Sequence, residues 1–267
     1  MSCRNVVVTG AASGIGEGIA RSLAASGHSL VLADLNEAKL TELAQELGNA
    51  TPVTVDVSDP SSGDKLRTVA ENAGNVSGLV NAAGISLVKH FLLNSEEEWT
   101  RILRVNLEGT MRACRAVAPV IVDNGGGGAI VNIASVTGRS PAALQGAYAA
   151  SKAGVIGFTT SLAFDLGPLD ITVNAICPGI VRTPIWEKIL EKESADSGRT
   201  PDEIFSDHVK PIPVGRPQTT KEIGALCNFL LSDSARSISG EQIGATGGMT
   251  FVEFDFAAGA KDLKNKR

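Results

Sequence analysis

Thr9-Gly10-Ala11-Ala12-Ser13-Gly14-Ile15-Gly16 lies between an apolar run and an amphipathic one. Before it, residues 5–9 carry Val6-Val7-Val8 and read as a strand. After it, residues 14–26 read as a helix, with Ile15, Ile19, Ala20 and Leu23 at helical spacing. Three glycines in such a turn let backbone N–H groups and the helix N-terminus face an anion. A tight strand-to-helix turn without a ligand also uses glycines, so the motif takes its meaning from its surroundings.

Working outward, short β-rich runs alternate with helical ones. Strands are expected at residues 29–33, 52–55, 78–82, 129–133, 171–176 and 242–246. Helices are expected at 37–47 (closed by Gly48), from Asp59-Pro60, from the capping box Ser95-x-x-Glu98 through Asn106 towards Val122, at 147–166 and at 221–231. Gly125-Gly126-Gly127-Gly128 breaks the chain before the fifth strand, and Gly167-Pro168 stops the helix before the sixth. This alternation predicts an α/β fold: one doubly wound parallel sheet of Rossmann type with helices on both faces. Residues 1–258 are expected to form a single domain. Residues 182–216 break the alternation, with four prolines and the charged run 191–199. They read either as surface-packed helical fragments over the sheet edge or as a lid on a substrate cleft. The lysine-rich end, 259–267, is expected to fray.

Asp34 ends the second expected strand, roughly 20 residues after the glycines, where an acid accepts hydrogen bonds from an adenosine ribose. Its charge would repel a 2′-phosphate, and neither Ser13 nor Leu35 supplies a cation to offset that, so NAD is favoured over NADP. Bulk composition agrees with a globular protein: 267 residues, 43% hydrophobic and 20% charged. The net charge of −5 argues against nucleic acid or an anionic membrane as the main partner. Cys3, Cys114, Cys177 and Cys227 have no C-x-x-C spacing and read as reduced apolar residues. His28, His90 and His208 are scattered, so no metal is expected, although His208 falls in the lid. The N-terminal apolar run is too short for a signal-peptide core, and a cytoplasmic location follows by default. No G-x-S-x-G elbow is present.

The second motif is Tyr148-Ala149-Ala150-Ser151-Lys152. A spacing of four residues puts Tyr148 and Lys152 on one helix face. A phenol is a poor proton donor or acceptor at neutral pH. An ammonium about 4 Å away, at an effective dielectric near 20, is worth about 4 kcal/mol, enough to bring the phenol into range of proton exchange with an alcohol. Tyr148 is the only tyrosine in the chain, and its neighbours Ala149, Ala150, Ala153, Gly154 and Gly157 are small.

Taken in order, these motifs resemble the short-chain dehydrogenase/reductase family in its single-domain form, over nearly the whole chain. The resemblance implies a catalytic set of Asn106, Ser135, Tyr148 and Lys152. Tyr148 would be the general acid/base and Lys152 the group that holds the nicotinamide ribose and lowers the phenol's pKa. Ser135 would hold the substrate oxygen, and Asn106 would complete a water-linked proton relay. It also implies a cofactor site. Asp56-Val57 would hold the adenine. Asn81-Ala82-Ala83-Gly84 matches the family's Asn-Asn-Ala-Gly, with Ala82 replacing the second Asn. Pro178-Gly179 leads to Val181 and Thr183 at the nicotinamide carboxamide. Gly10, Ser13, Gly14, Ile15, Gly16, Asp34 and Leu35 complete the set. Ser135, Gln145, Tyr148 and Trp186 are the expected substrate contacts, with Trp186 in an apolar lid stripe with Ile185, Ile189 and Leu190. Arg101, Arg104, Arg112 and Arg115 read as a solvated or interface face rather than an anion site.

The resulting expectation is an NAD-dependent oxidoreductase moving a hydride between NAD and a secondary alcohol/ketone pair, a polyol included. A 3-oxoacyl-(acyl-carrier protein) reductase ranks second, because those relatives usually prefer NADP and carry Arg where this chain has Asp170. A catalytically idle NAD-binding sensor or scaffold is the reading from another class. Homotetramers are common in the family.

Overall fold

Seven strands explain where the site sits. They are β1 (Asn5–Thr9), β2 (Ser29–Asp34), β3 (Ala50–Thr54), β4 (Val76–Asn81), β5 (Gly128–Ile133), β6 (Ile171–Pro178) and β7 (Gln242–Ala245). All pair in parallel, in the order β3-β2-β1-β4-β5-β6-β7. The chain therefore winds outward from β1 in both directions, and a crevice opens at the carboxyl ends of β1 and β4. The computed structural model describes residues 4–249, so Cys3 and the expected frayed end 259–267 lie outside the described residues.

The helices are α1 (Gly14–Ala25), α2 (Glu37–Leu47), α3 (Ser62–Ala73), α4 (Glu96–Leu103), α5 (Gly109–Asp123), α6 (Val136–Arg139), α7 (Gly146–Leu166), α8 (Pro184–Ser197), α9 (Pro201–Val209) and α10 (Thr220–Leu230). Alternation along each strand feeds two cores. Val6 and Val8 of β1 pack with Ile19, Leu23, Leu40 and Ile223 of α1, α2 and α10. Val7 packs on the opposite face with Leu66, Ala113, Val117 and Ile121 of α3 and α5. Both faces are buried, as continuous apolar runs in strands require.

Differences from the expected elements have local causes. Asp59 accepts from the Ser61 amide and hydroxyl, both at 2.8 Å, which makes a turn before α3 begins. Pro52 falls inside β3, an edge strand, where a missing N–H is tolerated. The capping box at Ser95 and Glu98 is formed, but the long helix it opens is not regular. A π-helical turn, Arg104–Glu108, separates α4 from α5 and carries Asn106. Residues 182–216 hold two full helices, α8 and α9, rather than short fragments. Their own core joins Leu190, Ile204 and Phe205 to Val136, Ile180 and Met249, which follow β5, β6 and β7. This segment thus sits over the carboxyl ends of those strands. No helix among the described residues is long and apolar enough to cross a membrane.

Candidate active site

The glycine turn is shaped by contact with the segment after β4. Gly10 has φ +67°, and a Cβ there would lie 2.6 Å from the Ala83 main chain. A Cβ on Gly16 would run into the Gly10 carbonyl oxygen. A side chain at Gly10 would force the two loops apart, and one at Gly16 would open the glycine turn itself. Ser13 precedes α1 but makes no side-chain cap bond, so Ser13 leaves the first amides of α1 as open donors. Asp34 closes this end of the cleft. Its Oδ2 accepts from Ala12 N at 3.0 Å and its Oδ1 from Asn36 N at 2.9 Å. These bonds tie the carboxylate to the glycine turn and leave lone pairs for further donors.

A cleft of about 310 Å³ runs from this end to Tyr148 and Lys152. Gly10, Ser13, Gly14, Ile15, Gly16, Asp34, Leu35, Asp56, Val57, Ala82, Ala83, Gly84 and Thr183 line it. Leu35 is 65% exposed there and offers an apolar surface at this end of the cleft. An open helix N-terminus, an acid and an apolar shelf together suit an adenosine diphosphate. Four expected cofactor residues do not line the cleft. Asn81 turns into the core, where its Nδ2 donates to Asn132 Oδ1 at 2.9 Å and to Cys114 Sγ at 3.2 Å. Pro178, Gly179 and Val181 shape the loop behind it: Gly179 N donates to Ala245 O, and Val181 bridges to Gln218.

At the other end, α7 presents Tyr148 and Lys152 on one face. Lys152 is buried, and its ammonium donates to Ile133 O at 2.7 Å. Burial pulls its pKa down to about 8. It lies 6.0 Å from the Tyr148 ring centre. Burial pushes Tyr148 above its ordinary value, and the opposing pull comes from a hydrogen bond with Ser135. Ser135 is held in extended backbone ahead of α6, where its Oγ accepts from Thr137 N at 3.1 Å.

Asn106 is fully buried and stands between these groups. Its Oδ1 accepts from Ile85 N at 2.8 Å, while its Nδ2 donates to Ile85 O at 2.9 Å and to Ser151 Oγ at 3.0 Å. Ser151 Oγ in turn donates to Tyr148 O at 2.7 Å. Both amide protons of Asn106 are thereby committed, to Ile85 O and Ser151 Oγ, so Asn106 braces this corner of the site. Sequence reasoning missed Ser151; the polar position inside Tyr-x-x-x-Lys, on the buried side of α7, was its signal.

Trp186 and Gln145 are not part of this cleft's lining. The Trp186 indole packs edge-on against Phe205 at 5.9 Å and against His208 at 5.2 Å, inside the lid. Gln145 is buried and accepts from Thr137 Oγ1 at 3.2 Å. A second cleft of about 800 Å³ adjoins the first between residues 85–93 and α8, and shares Ile85, Arg101 and Ile185 with it. The expected lid stripe is split by helical phase: Ile185 and Ile189 face this cleft, while Trp186 and Leu190 face the lid core. The four arginines are split as well. Arg112 binds Glu108 and the Val57 and Ser58 carbonyls, whereas Arg101 lines both clefts. Asp170 lies at the opposite end of the sheet, before β6, in a left-handed turn (φ +58°) beside Arg236.

Comparison with known proteins adds to this geometry. A profile of the family described as Enoyl-(Acyl carrier protein) reductase matches residues 10–250. The oxidoreductase UcpA of Salmonella typhimurium is 38% identical over 256 residues, spanning 94% of this chain and 95% of that protein. A diacetyl reductase ((S)-acetoin forming) of Staphylococcus epidermidis is 34% identical, over 93% of this chain and 99% of that one. Among solved structures, an actinorhodin polyketide ketoreductase with NADPH superposes with a TM-score of 0.86 at 31% identity, covering 93% of this chain and 97% of that one. A 3-oxoacyl-(acyl-carrier protein) reductase with bound NAD from Brucella melitensis superposes with a TM-score of 0.81 at 32% identity, covering 93% and 92%.

The buried ammonium yields a stability prediction. Between pH 8 and the ordinary lysine value of 10.5, the unfolded chain holds the Lys152 proton and the folded chain releases it. Stability therefore rises with pH through that window, and the cost of burying the charge is fully present below it. Lys152→Met is expected to be more stable than the parent at pH 7, by about 1–3 kcal/mol in urea unfolding. The gap is expected to shrink as pH rises above 8. A gap that does not change with pH would show that the ammonium is not strained by burial.

Proposed function

The chain belongs to the short-chain dehydrogenase/reductase family, a family of oxidoreductases, and on that premise we propose that it interconverts a secondary alcohol and a ketone with NAD, using Tyr148 as general acid/base. The observation that carries this reading is the single cleft with an open helix N-terminus and Asp34 at one end and Tyr148 and Lys152 at the other. A nicotinamide dinucleotide, when bound, supplies or accepts the hydride. The chain's own groups handle the proton and the oxygen. Tyr148 lines the cleft and Ser135 follows β5 close to it, and on this reading their two hydroxyls address one substrate oxygen. In the reductive direction Ser135 donates a hydrogen bond to that oxygen as negative charge develops, and Tyr148 delivers the proton. In the oxidative direction Tyr148 takes the hydroxyl proton. Lys152 holds a positive charge close to this pair, which favours the phenolate once the proton has left. Asn106 and Ser151 fix Ile85 and the Tyr148 backbone and so keep the pair in register.

Preference for NAD rests on Asp34. Its carboxylate lines the end of the cleft proposed for the adenosine, where it would repel a 2′-phosphate, and Leu35 beside it carries no charge. The solved relatives hold NADPH in one case and NAD in the other, so the family leaves this choice to local residues. The NAD-bound Brucella reductase also favours a second reading, a 3-oxoacyl reductase, since NAD preference does not count against it. Self-association belongs to the same proposal. Ala150, Ala153, Gly157 and Phe164 form an exposed face of α7, and Phe164 is 78% exposed.

Two variants test these assignments. Tyr148→Phe is expected to lower kcat by on the order of 10²–10⁴ while NAD binding is retained, as measured by absorbance of the reduced cofactor and by calorimetry. Near-parental turnover would remove Tyr148 from the chemistry. Asp34→Ala is expected to raise the NADP/NAD ratio of kcat/KM by about tenfold or more, from loss of one charge repulsion. An unchanged ratio would mean that Asp34 only braces the glycine turn.

A further inference from the structure

The cleft beside the nucleotide cleft is larger than a simple alcohol needs, and its charges are not arranged at random. Its floor is apolar, with Ile85, Ile102, Ile185 and Ile189. Cations enter from two sides: Arg101 from α4, and Lys188 and Lys192 from α8, four residues apart on the face that holds Ile185 and Ile189. The acids in the same walls are mostly occupied. Both Glu98 oxygens accept from Lys89 at 2.8 Å, and Glu193 Oε2 pairs with His208 Nε2 at 3.0 Å. Asp196, one turn beyond Lys192 and near the end of α8, also lines the cleft. Lys192 Nζ reaches the Val88 carbonyl at 3.2 Å. Among the described residues Arg101 has no ion pair, although it lines both clefts. It shares the lining of the nucleotide cleft with Tyr148, so it stands at the junction through which a molecule held at Tyr148 extends into the larger cleft.

Resting on the alcohol/ketone reading, we propose that the substrate carries an anionic oxygen group, carboxylate or phosphate, beyond its carbonyl, and that Arg101 binds it. The planar guanidinium offers paired donors to either group. Lys188 and Lys192 close over the anion from the lid, and the apolar floor carries the carbon chain between anion and carbonyl. Of the acids in these walls, Glu98 is paired with Lys89 and Glu193 Oε2 is hydrogen-bonded to His208, so among the described residues of these walls the free cation nearest the reacting carbonyl is Arg101.

The test is a matched panel reduced with NADH. Linear oxo acids are each paired with their methyl esters, and oxoalkyl phosphates with the corresponding hydroxy ketones. The parent is expected to favour the anionic member of a pair by roughly tenfold or more in kcat/KM, the range of a charge-assisted hydrogen bond. Arg101→Gln is expected to bring that ratio close to one through KM, with a thermal melt that overlays the parent's. Raising the salt concentration is expected to raise KM for the anionic members. Whichever anion gives the larger ratio identifies the group. A parental ratio near one overturns the anion site alone. Equal losses on both members of each pair in Arg101→Gln, or a raised KM for NADH, would place Arg101 in the nucleotide cleft and overturn it too. No reduction of any member, charged or neutral, overturns the alcohol/ketone reading itself.

Discussion

The close approach of Gly10 to Ala83 is the constraint from which the site follows. Two loops leaving β1 and β4 meet there, backbone against backbone, because Gly10 has no side chain. Ala83 leads within two residues to Ile85, whose amide and carbonyl are both held by Asn106. Asn106 donates to Ser151, and Ser151 donates to the Tyr148 carbonyl. An unbroken path of main-chain packing and buried hydrogen bonds thus joins the glycine turn to the phenol. The π-turn that carries Asn106 is part of the same device. A regular α-helix would set Asn106 at a different angle, and π-turns of this kind recur at functional sites.

Charge is placed with similar economy. Lys152 is buried under the Ile133 carbonyl, and the sheet and α7 together hold an ammonium that water would otherwise solvate. The phenol beside it is raised by burial and restrained by Ser135. Proton exchange at Tyr148 therefore depends on the company of a hydroxyl as much as on a nearby cation. Above this pair the lid divides into two faces. One packs Trp186, Leu190 and Phe205 into a core of its own, and the other turns isoleucines and lysines to the larger cleft.

Much of this was legible in the chain. The strand, glycine turn and helix from Asn5 to Ala25, the capping box at Ser95, and the buried strands β5 and β6 each carry a local signal that packing reinforces. So does the alternation that makes the sheet parallel, and with it the single α/β domain. What could not be read depends on contacts distant in sequence. Helical spacing cannot reveal a π-turn, because its extra residue is stabilised by the partners of Asn106 rather than by residues 104–108 alone. Helix α6 is only four residues long and is held by the Ser135 hydroxyl, below the length at which periodicity speaks. The lid stripe at Ile185, Trp186, Ile189 and Leu190 is apolar throughout, so only the packed structure tells which half faces the cleft. Arg101 looked like its neighbours on α4 and α5 until the fold set it at the junction of two clefts. The direction of the Tyr148 pKa depended on burial, which spacing alone does not supply.

A crystal structure of the protein with NAD tests the central claim most directly. The account predicts a dinucleotide lying across the open amides of α1, its adenosine ribose on Asp34 and its nicotinamide ribose within hydrogen-bonding distance of Tyr148 and Lys152. A nucleotide bound elsewhere, or bound in this cleft with its nicotinamide remote from Tyr148, would contradict it.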